Sequence, residues 1–486
     1  MSDFSVPLFL RGEVIEEDWV EFGGRGGACA FRAPNPHHFL DRLPLSSPAA
    51  LRDLYEISLD EIVDVLVELG NSLEFDKNRY IREAYEAGLL ASSYPASMLR
   101  SAYYGVKRVF ARESILEIAE RCVGIDYLEG WVTHRLNDGR DLSVRAFGAR
   151  ALHIPAGNGA VIASTTLIRN AITRSDAIIK IPSNDPLTAI ALARTLADIA
   201  PNHPLTKHIA VGYWKGGDET VESAIYRPEH IEKIIAWGGF ASMKHVTKYI
   251  QPGLELISLD PKRSATIIGP EAFAGEAIMH EVALRTACDI GTANQEGCAC
   301  ARVVYVLSGT DEAGMKNINR LGELVYKYLQ ELPGNISTKP KYFDRDLRDH
   351  LNATRMEDTF YRVFGGLDDE GAVIVSQMSE AVDYAPMLSG KVANLVPVDE
   401  IRQVTDCVNA FTQTIGIYPD SLKEQLRNIL PLFGAQRLTS LGYACNVPSA
   451  KPQDAIEPLR RMCKWIVDEV CDPKVVTPTW VKPASR

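Results

Sequence analysis

What this chain lacks narrows its class before any motif is considered. No uncharged apolar run approaches the roughly 20 residues that a membrane-spanning helix requires, so no membrane span is expected. No run of lysine and arginine compensates a formal net charge of −11, which argues against nucleic acid or an anionic membrane as partner. The first residues, Met1-Ser2-Asp3-Phe4, do not join a cationic segment to an apolar one, and no signal peptide is expected. The nine cysteines are odd in number and scattered over 486 residues. They read as reduced thiols of a cytoplasmic protein, not as a disulfide framework. No internal repeat or low-complexity tract stands out. The Gly-x-Gly-x-x-Gly fingerprint of dinucleotide sites is also missing.

What is present is an ordinary globular composition, 46% apolar and 24% charged. Roughly two or three domains are expected, at about 100–200 residues each. Residues 40–140 read as helical. Ser58-Leu59-Asp60-Glu61 is a capping box, apolar Ile62, Val63, Leu66 and Leu69 follow, and Gly70 marks the expected stop. Two further helices are expected over 96–110 and 114–123. From about residue 150, strands at 151–155, 177–181, 208–211, 234–237 and 254–259 alternate with helices at 161–172, 187–199 and 241–250. A second alternating unit follows Pro261, with strands at 265–268 and 302–307. Such alternation implies parallel sheets covered by helices on both faces, with ligands at the carboxyl ends of the strands. The expected division is a mostly helical region over 1–140, one lobe over 141–262, a second over 263–435, and a tail over 436–486 with a charged helix near 456–470.

The chemistry concentrates at Asn294-Gln295-Glu296-Gly297-Cys298-Ala299-Cys300, directly before the apolar run Val303-Val304-Tyr305-Val306. A cysteine on a short polar loop held by a buried strand suits a reactive thiolate. A thiolate can take an acyl group as a thioester, whose carbonyl then accepts a hydride. The plain alternative is a buried structural cysteine, as free cysteines commonly are. Cys300 is the rival nucleophile, and Cys288 lies in a helical pattern and reads as core. A Cys-x-Cys metal site would need a second ligand pair, which is not nearby, so no metal is expected.

Four motifs carry a resemblance: the cysteine loop, Asp260-Pro261-Lys262-Arg263-Ser264, Leu388-Ser389-Gly390-Lys391-Val392, and Thr412-Gln413-Thr414-Ile415-Gly416-Ile417-Tyr418-Pro419. With the order of elements, from about 140 to 470, they resemble the aldehyde dehydrogenase superfamily. More closely, the chain looks like acyl-CoA reductases of the LuxC type, the reductase part of the fatty acid reductase of bacterial bioluminescence. The fold this implies is α/β and aldehyde dehydrogenase-like. Two Rossmann-like parallel-sheet lobes, the first for the dinucleotide and the second for catalysis, would be joined by a helical N-terminal region and a tail that returns to the cofactor lobe.

The resemblance assigns roles. Cys298 matches the acylated nucleophile. Asn158, after Pro155-Ala156-Gly157, matches the amide that donates to the oxyanion, with one extra residue in the spacing and the Cys298 backbone amide as second donor. An asparagine before glycine also fits a common turn. Lys180 and Ser183 fall in the turn that holds the adenosine ribose, and Gly238-Gly239 in the turn that frees amides for the pyrophosphate. A strand-end lysine and a Gly-Gly turn have plainer readings too. NAD-preferring relatives carry glutamate where Ser183 stands, so NADPH is the expected cofactor and NADH the alternative.

The departures are as informative. The glutamate that activates water in hydrolytic members is replaced by Ser258, so an acyl-enzyme should resist water. Strand alternation puts nearby Glu255 on the opposite sheet face. The glutamate that holds the nicotinamide ribose is missing from Met387 to Lys391. The resulting expectation is an NADPH-dependent acyl-CoA or acyl-carrier thioester reductase that forms aldehyde. The alternatives are a hydrolytic aldehyde dehydrogenase and a non-catalytic thioester-binding subunit. An acyl-activating synthetase or transferase is the expected partner. A homo-oligomer is expected through an edge strand at 142–149.

Overall fold

Asp176-Ala177-Ile178-Ile179-Lys180 is apolar on both faces between its charged ends, and such a strand must lie inside a sheet with both faces covered. In a computed structural model, which describes residues 3–24, 27 and 29–481, it does. The strands Arg150–Ile154, Asp176–Lys180, Ile209–Gly212, Lys233–Trp237 and Glu255–Leu259 run parallel. Arg150–Ile154 lies between Lys233–Trp237 and Asp176–Lys180, so the chain winds outward in both directions from its first strand. That reversal is the switch point at which such sheets bind ligands. Antiparallel Leu8–Leu10 and Glu13–Ile15 complete seven strands.

The helices Leu59–Ser72, Arg79–Ala91 and Ala96–Val109 pack on this sheet's own helices, Ala160–Ile172 and Thr188–Ile199. Ile62, Leu66 and Leu69 share one core with Leu167, Ile168, Leu192 and Leu196. Ser58 caps the first of these helices, accepting from the Glu61 amide. The helix runs past Gly70 to Ser72, so this glycine is not the stop its position suggested. It provides close approach instead: a Cβ there would lie 2.4 Å from Phe110 Cβ.

The second seven-stranded sheet has the order Tyr361–Gly365, Ala372–Ser376, Val392–Pro397, Ala301–Val306, Arg263–Ile268, Thr412–Tyr418 and Arg437–Ser440, antiparallel only at Tyr361–Gly365. Between Leu259, which ends the first sheet, and Arg263, which begins the second, stand only Asp260, Pro261 and Lys262. The carboxyl end of one sheet therefore adjoins the amino end of the other.

Several expectations are corrected. Ahead of the N-terminal helices, the described residues among the first 34 form five short strands, which the sequence reading did not place. The helix expected at 456–470 is confined to Pro458–Met462, and Lys464–Val470 is a strand paired antiparallel with Asp141–Phe147. Ile466, Val467 and Val470 favour that extended state, and the ladder partner lies more than 300 residues away, beyond the reach of local pattern. Asp141–Phe147, expected as a free edge, is the middle strand of a three-stranded sheet flanked by Lys464–Val470 and Val132–Arg135. Those two outer strands are the edges. Among the described residues, no helix is long and apolar enough to cross a membrane.

Arg174 ties the N-terminal helices to the first seven-stranded sheet. Its buried guanidinium donates to the carbonyls of Leu54 (3.0 Å), Leu128 (2.7 Å) and Ile57 (3.2 Å). Arg174→Met would leave three carbonyls without donors. We expect a loss of about 3 kcal/mol, read as a lower urea midpoint with the far-ultraviolet spectrum of the folded protein unchanged.

Candidate active site

The loop that carries Cys298 leaves the helix Glu276–Gly291 and enters the strand Ala301–Val306 at its amino end. On the way Ala293, Asn294 and Gln295 take φ values of 54°, 50° and 66°. Three successive non-glycine residues in the left-handed region cost about 1–2 kcal/mol each, so the surroundings must hold them. Gln295, almost wholly buried, donates from Nε2 to the carbonyls of Ala301 (2.8 Å) and Val392 (3.0 Å) and accepts from the Val392 amide (3.1 Å). The Leu388–Val392 motif therefore cradles the cysteine loop. Arg302 clasps the loop from below, donating to the carbonyls of Cys300 (2.8 Å) and Gln295 (3.1 Å). Ser264 Oγ donates to the Cys298 carbonyl (2.6 Å) and accepts from the Thr414 amide (3.1 Å).

These restraints give the two rival thiols opposite surroundings. Cys298 is exposed. Cys300 has no exposure; its thiol donates to the Thr292 carbonyl (3.2 Å) and meets Cys445 Sγ at 3.4 Å. The walls around Cys298 exclude enough water to push its thiol pKa up, and Asp454 and Cys300 add to that; Gln413 and Arg302 pull it down. Exposure and desolvation are compatible here, because one opening in a crowded wall admits a reagent without admitting bulk solvent. Cys288 packs against the second lobe's core, as expected.

Asn158 follows the carboxyl end of Arg150–Ile154, and the apposed sheets bring it to the cysteine loop. Its Nδ2 donates to the Glu296 carbonyl at 3.2 Å. An amide nitrogen carries two hydrogens, so one N–H remains for a ligand. Tyr94 Oη holds the Asn158 carbonyl (2.9 Å), and Asn184 Nδ2 holds that of Gly157 (2.9 Å). A Cβ at residue 157 would lie 2.0 Å from Asn184 Oδ1, so only glycine fits this contact. Among the described residues, no hydrogen bond engages the backbone amide of Cys298.

Lys180, Ser183 and the Gly238-Gly239 turn stand at the carboxyl ends of Asp176–Lys180 and Lys233–Trp237, the two strands beside Arg150–Ile154. Burial lowers the Lys180 pKa to about 8, with Glu222 acting weakly against it. The ammonium lies 5.8 Å from the Trp214 ring centroid, and among the described residues it donates no hydrogen bond to a protein group. A half-buried cation without a protein acceptor suits an anionic or hydroxyl-rich ligand. Gly239 begins the helix Phe240–Val246 without a side-chain cap, and a Cβ on it would meet nothing within 4 Å. The turn thus presents free amides to open space, which fits a pyrophosphate.

The replaced positions are also clear. Ser258 Oγ donates to the Asp260 carboxylate. Glu255 lies at the far end of its strand, paired with Lys233 and Arg461. Burial alone would raise its carboxyl pKa, but those partners hold it below the usual range. Met387, where the ribose-binding glutamate would stand, is partly exposed. Among the described residues, no cluster of His, Cys, Asp and Glu could hold a metal.

Sequence reasoning did not single out Gln295, Arg302, Ser264, Gln413 or Asp454, all of which bear on Cys298. Gln295, Ser264 and Gln413 lie inside the motifs that carry the resemblance, and that was the available signal. Asp454 belongs to a segment, 441–456, laid over the site. Asp289 accepts from the amides of Gly442 (3.0 Å) and Ala444 (2.9 Å), and Arg437 donates to the carbonyls of Ala444 (2.5 Å), Tyr443 (3.2 Å) and Asn446 (3.1 Å). A cavity of about 440 Å³ beside it is lined by Arg437, Tyr443 and Lys451.

A model of the acyl-CoA reductase (LuxC) family matches residues 54–465. The long-chain acyl-protein thioester reductase of Vibrio harveyi is 26% identical over 480 residues, spanning 96% of this chain and 93% of that protein. That of Aliivibrio fischeri is 26% identical over 441 residues, spanning 87% and 85%. Among solved structures, aldehyde dehydrogenase 21 of Physcomitrella patens, in complex with succinate, superposes with a TM-score of 0.73 at 14% identity over 97% of this chain and 99% of that one. The NADP-dependent glyceraldehyde-3-phosphate dehydrogenase of Bacillus halodurans C-125, complexed with NADP, gives 0.70 at 12% identity over 96% and 99%. The fold is that of the aldehyde dehydrogenases.

The contrast between the two thiols is directly measurable. Brief treatment with iodoacetamide near neutral pH, read by peptide mass spectrometry, should modify Cys298 at least about tenfold faster than Cys300.

Proposed function

The chain belongs to the acyl-CoA reductase (LuxC) family, and from that membership we propose that it reduces an acyl thioester, of CoA or of a carrier, to the aldehyde with NADPH, through a thioester on Cys298. The names of the Vibrio and Aliivibrio relatives, long-chain acyl-protein thioester reductases, favour a long fatty acyl group delivered on a protein thiol. An acyl-activating synthetase or transferase would load it. The observation that carries the reading is an exposed thiol at the junction of two sheets, with an asparagine amide tied to its loop and no free carboxylate at the position of the deacylating base.

The Cys298 thiolate attacks the substrate carbonyl, and the CoA or carrier thiol leaves. The free N–H of Asn158 and the Cys298 amide meet the oxyanion; one such donor is typically worth about 3 kcal/mol. With Ser258 bonded to Asp260 and Glu255 held in ion pairs at the far end of its strand, neither residue is positioned to activate water, and the acyl-enzyme persists. A nicotinamide cofactor, when bound, supplies the hydride that reduces the thioester carbonyl. Lys180, Ser183 and the Gly238-Gly239 amides would hold its adenosine ribose and phosphates. Asn158 again meets the oxyanion, the carbon–sulfur bond breaks, aldehyde leaves, and Cys298 takes up a proton. The same groups serve the reverse reaction.

Radiolabelled long-chain acyl-CoA should label the protein, and Cys298→Ala should abolish both labelling and reduction; a variant still labelled and still active would overturn the assignment. Ser183→Glu places a carboxylate where a 2′-phosphate would sit and should lower the kcat/KM ratio of NADPH to NADH by about tenfold or more. The charge on Lys180 is present below about pH 8 and lost above it. The KM for NADPH should therefore rise as pH increases through this range, and Lys180→Ala should raise KM at neutral pH and flatten the dependence.

A further inference from the structure

We infer that Gln413 is a catalytic donor to the Cys298 sulfur, and that Asp454 is the positioning residue that aims it. This rests on the reading of Cys298 as the nucleophile.

The first observation is in the sheet register. Ala265, Thr266, Ile267 and Ile268 pair in regular steps with Ile415, Gly416, Ile417 and Tyr418, but Arg263 pairs with Thr412. Two steps on one strand therefore face three on the other, and the extra residue falls at Gln413-Thr414. The pairing with Ala301–Val306 slips at the same place, between Ser264 and Ala265. A bulge breaks the alternation of side chains and re-aims one of them, commonly beside an active site. Ser264 Oγ sits in this double irregularity and bridges the Cys298 carbonyl to the Thr414 amide. The reactive loop is thus fastened to the residue next to Gln413.

The second observation is the partner of the amide. Gln413 Nε2 donates to Asp454 Oδ1 at 2.7 Å. That uses one of its two hydrogens, and the same side chain interacts with the Cys298 thiol in the sense that favours the thiolate. Asp454 reaches this place through a strained corner. Its φ is 52° and that of Ala455 is 61°, a left-handed pair pinned by reciprocal backbone bonds between Gln453 and Ile456 (2.9 and 3.0 Å) and by Arg169 on Gln453 Oε1 (3.2 Å). Such strain persists where the surroundings over-determine it, commonly at functional sites.

Other charges act on the same sulfur: Arg302, Arg437 and Lys451 favour the thiolate, and Cys300 and Asp454 oppose it. Lys262, Lys451 and Asp260 face Asp454. The negative charge of Asp454 and its aim on Gln413 therefore work in opposite directions, which makes them separable.

The test is the pH dependence of Cys298 alkylation by iodoacetamide in the full chain without substrate, resolved by peptide mass spectrometry, with thermal melts to establish folding. Gln413→Leu should raise the midpoint by about one pH unit, or about tenfold less thiolate at neutral pH; the isosteric Gln413→Glu should raise it at least as far. Asp454→Ala removes both effects, so the shift it causes should be more upward when Gln413 is present than when residue 413 is leucine, where loss of the charge alone should lower the midpoint. An unchanged midpoint in both Gln413 variants overturns the role of Gln413. An Asp454→Ala effect independent of residue 413 removes Asp454 from the relay. Because the free thiol is read, failure here leaves acylation of Cys298 untouched, and failure of acylation leaves this result interpretable.

Discussion

Three residues between two sheets impose the architecture of the site. Because Leu259 closes one parallel sheet and Arg263 opens the next, the carboxyl ends of the first must lie against the amino ends of the second. Turns that follow strands in the first sheet then meet loops that precede strands in the second. Asn158 follows a strand and Glu296 precedes one, and their hydrogen bond is the contact across that junction. Neither sheet holds a complete site. The first supplies amides and a half-buried cation, the second a thiol.

The cysteine loop has a conformation that its own sequence disfavours. Three left-handed residues in a row are held by the saturated amide of Gln295 and by Arg302. Both also reach beyond the loop's immediate neighbours, Gln295 to Val392 and Arg302 to its bulged place beside Ser264. The exposed thiol and the buried one two residues later are products of this single bend. Ser258, bonded to Asp260, leaves no free carboxylate at the position that carries the base in hydrolytic relatives; under the proposed function that position does not activate water, and the acyl group can wait for reduction. Electrostatically the site is built from opposed small terms around one sulfur, with burial raising its pKa and neighbouring cations and an amide lowering it.

Much of this was legible along the chain. Alternating apolar runs located the parallel strands, because a strand covered on both faces must be apolar throughout. The polar loop before Val303 marked the candidate thiol, and four motifs pointed to the family. The failures share a cause. Lys464–Val470 was read as helix and Asp141–Phe147 as a free edge because each is defined by the other across more than 300 residues. Gly70 looked like a helix stop but is a packing contact with Phe110. Asp454 carried no local signal at all.

The amino-acid sequence by itself determined most of the elements, a candidate thiol and the family, since periodicity and motif chemistry are local properties. Only the tertiary structure decided which thiol faces outward, what holds Asn158, and that Gln413 and Asp454 meet beside Cys298. Those outcomes depend on sheet register, a bulge and a returning tail, and each requires residues distant in sequence to arrive at one place.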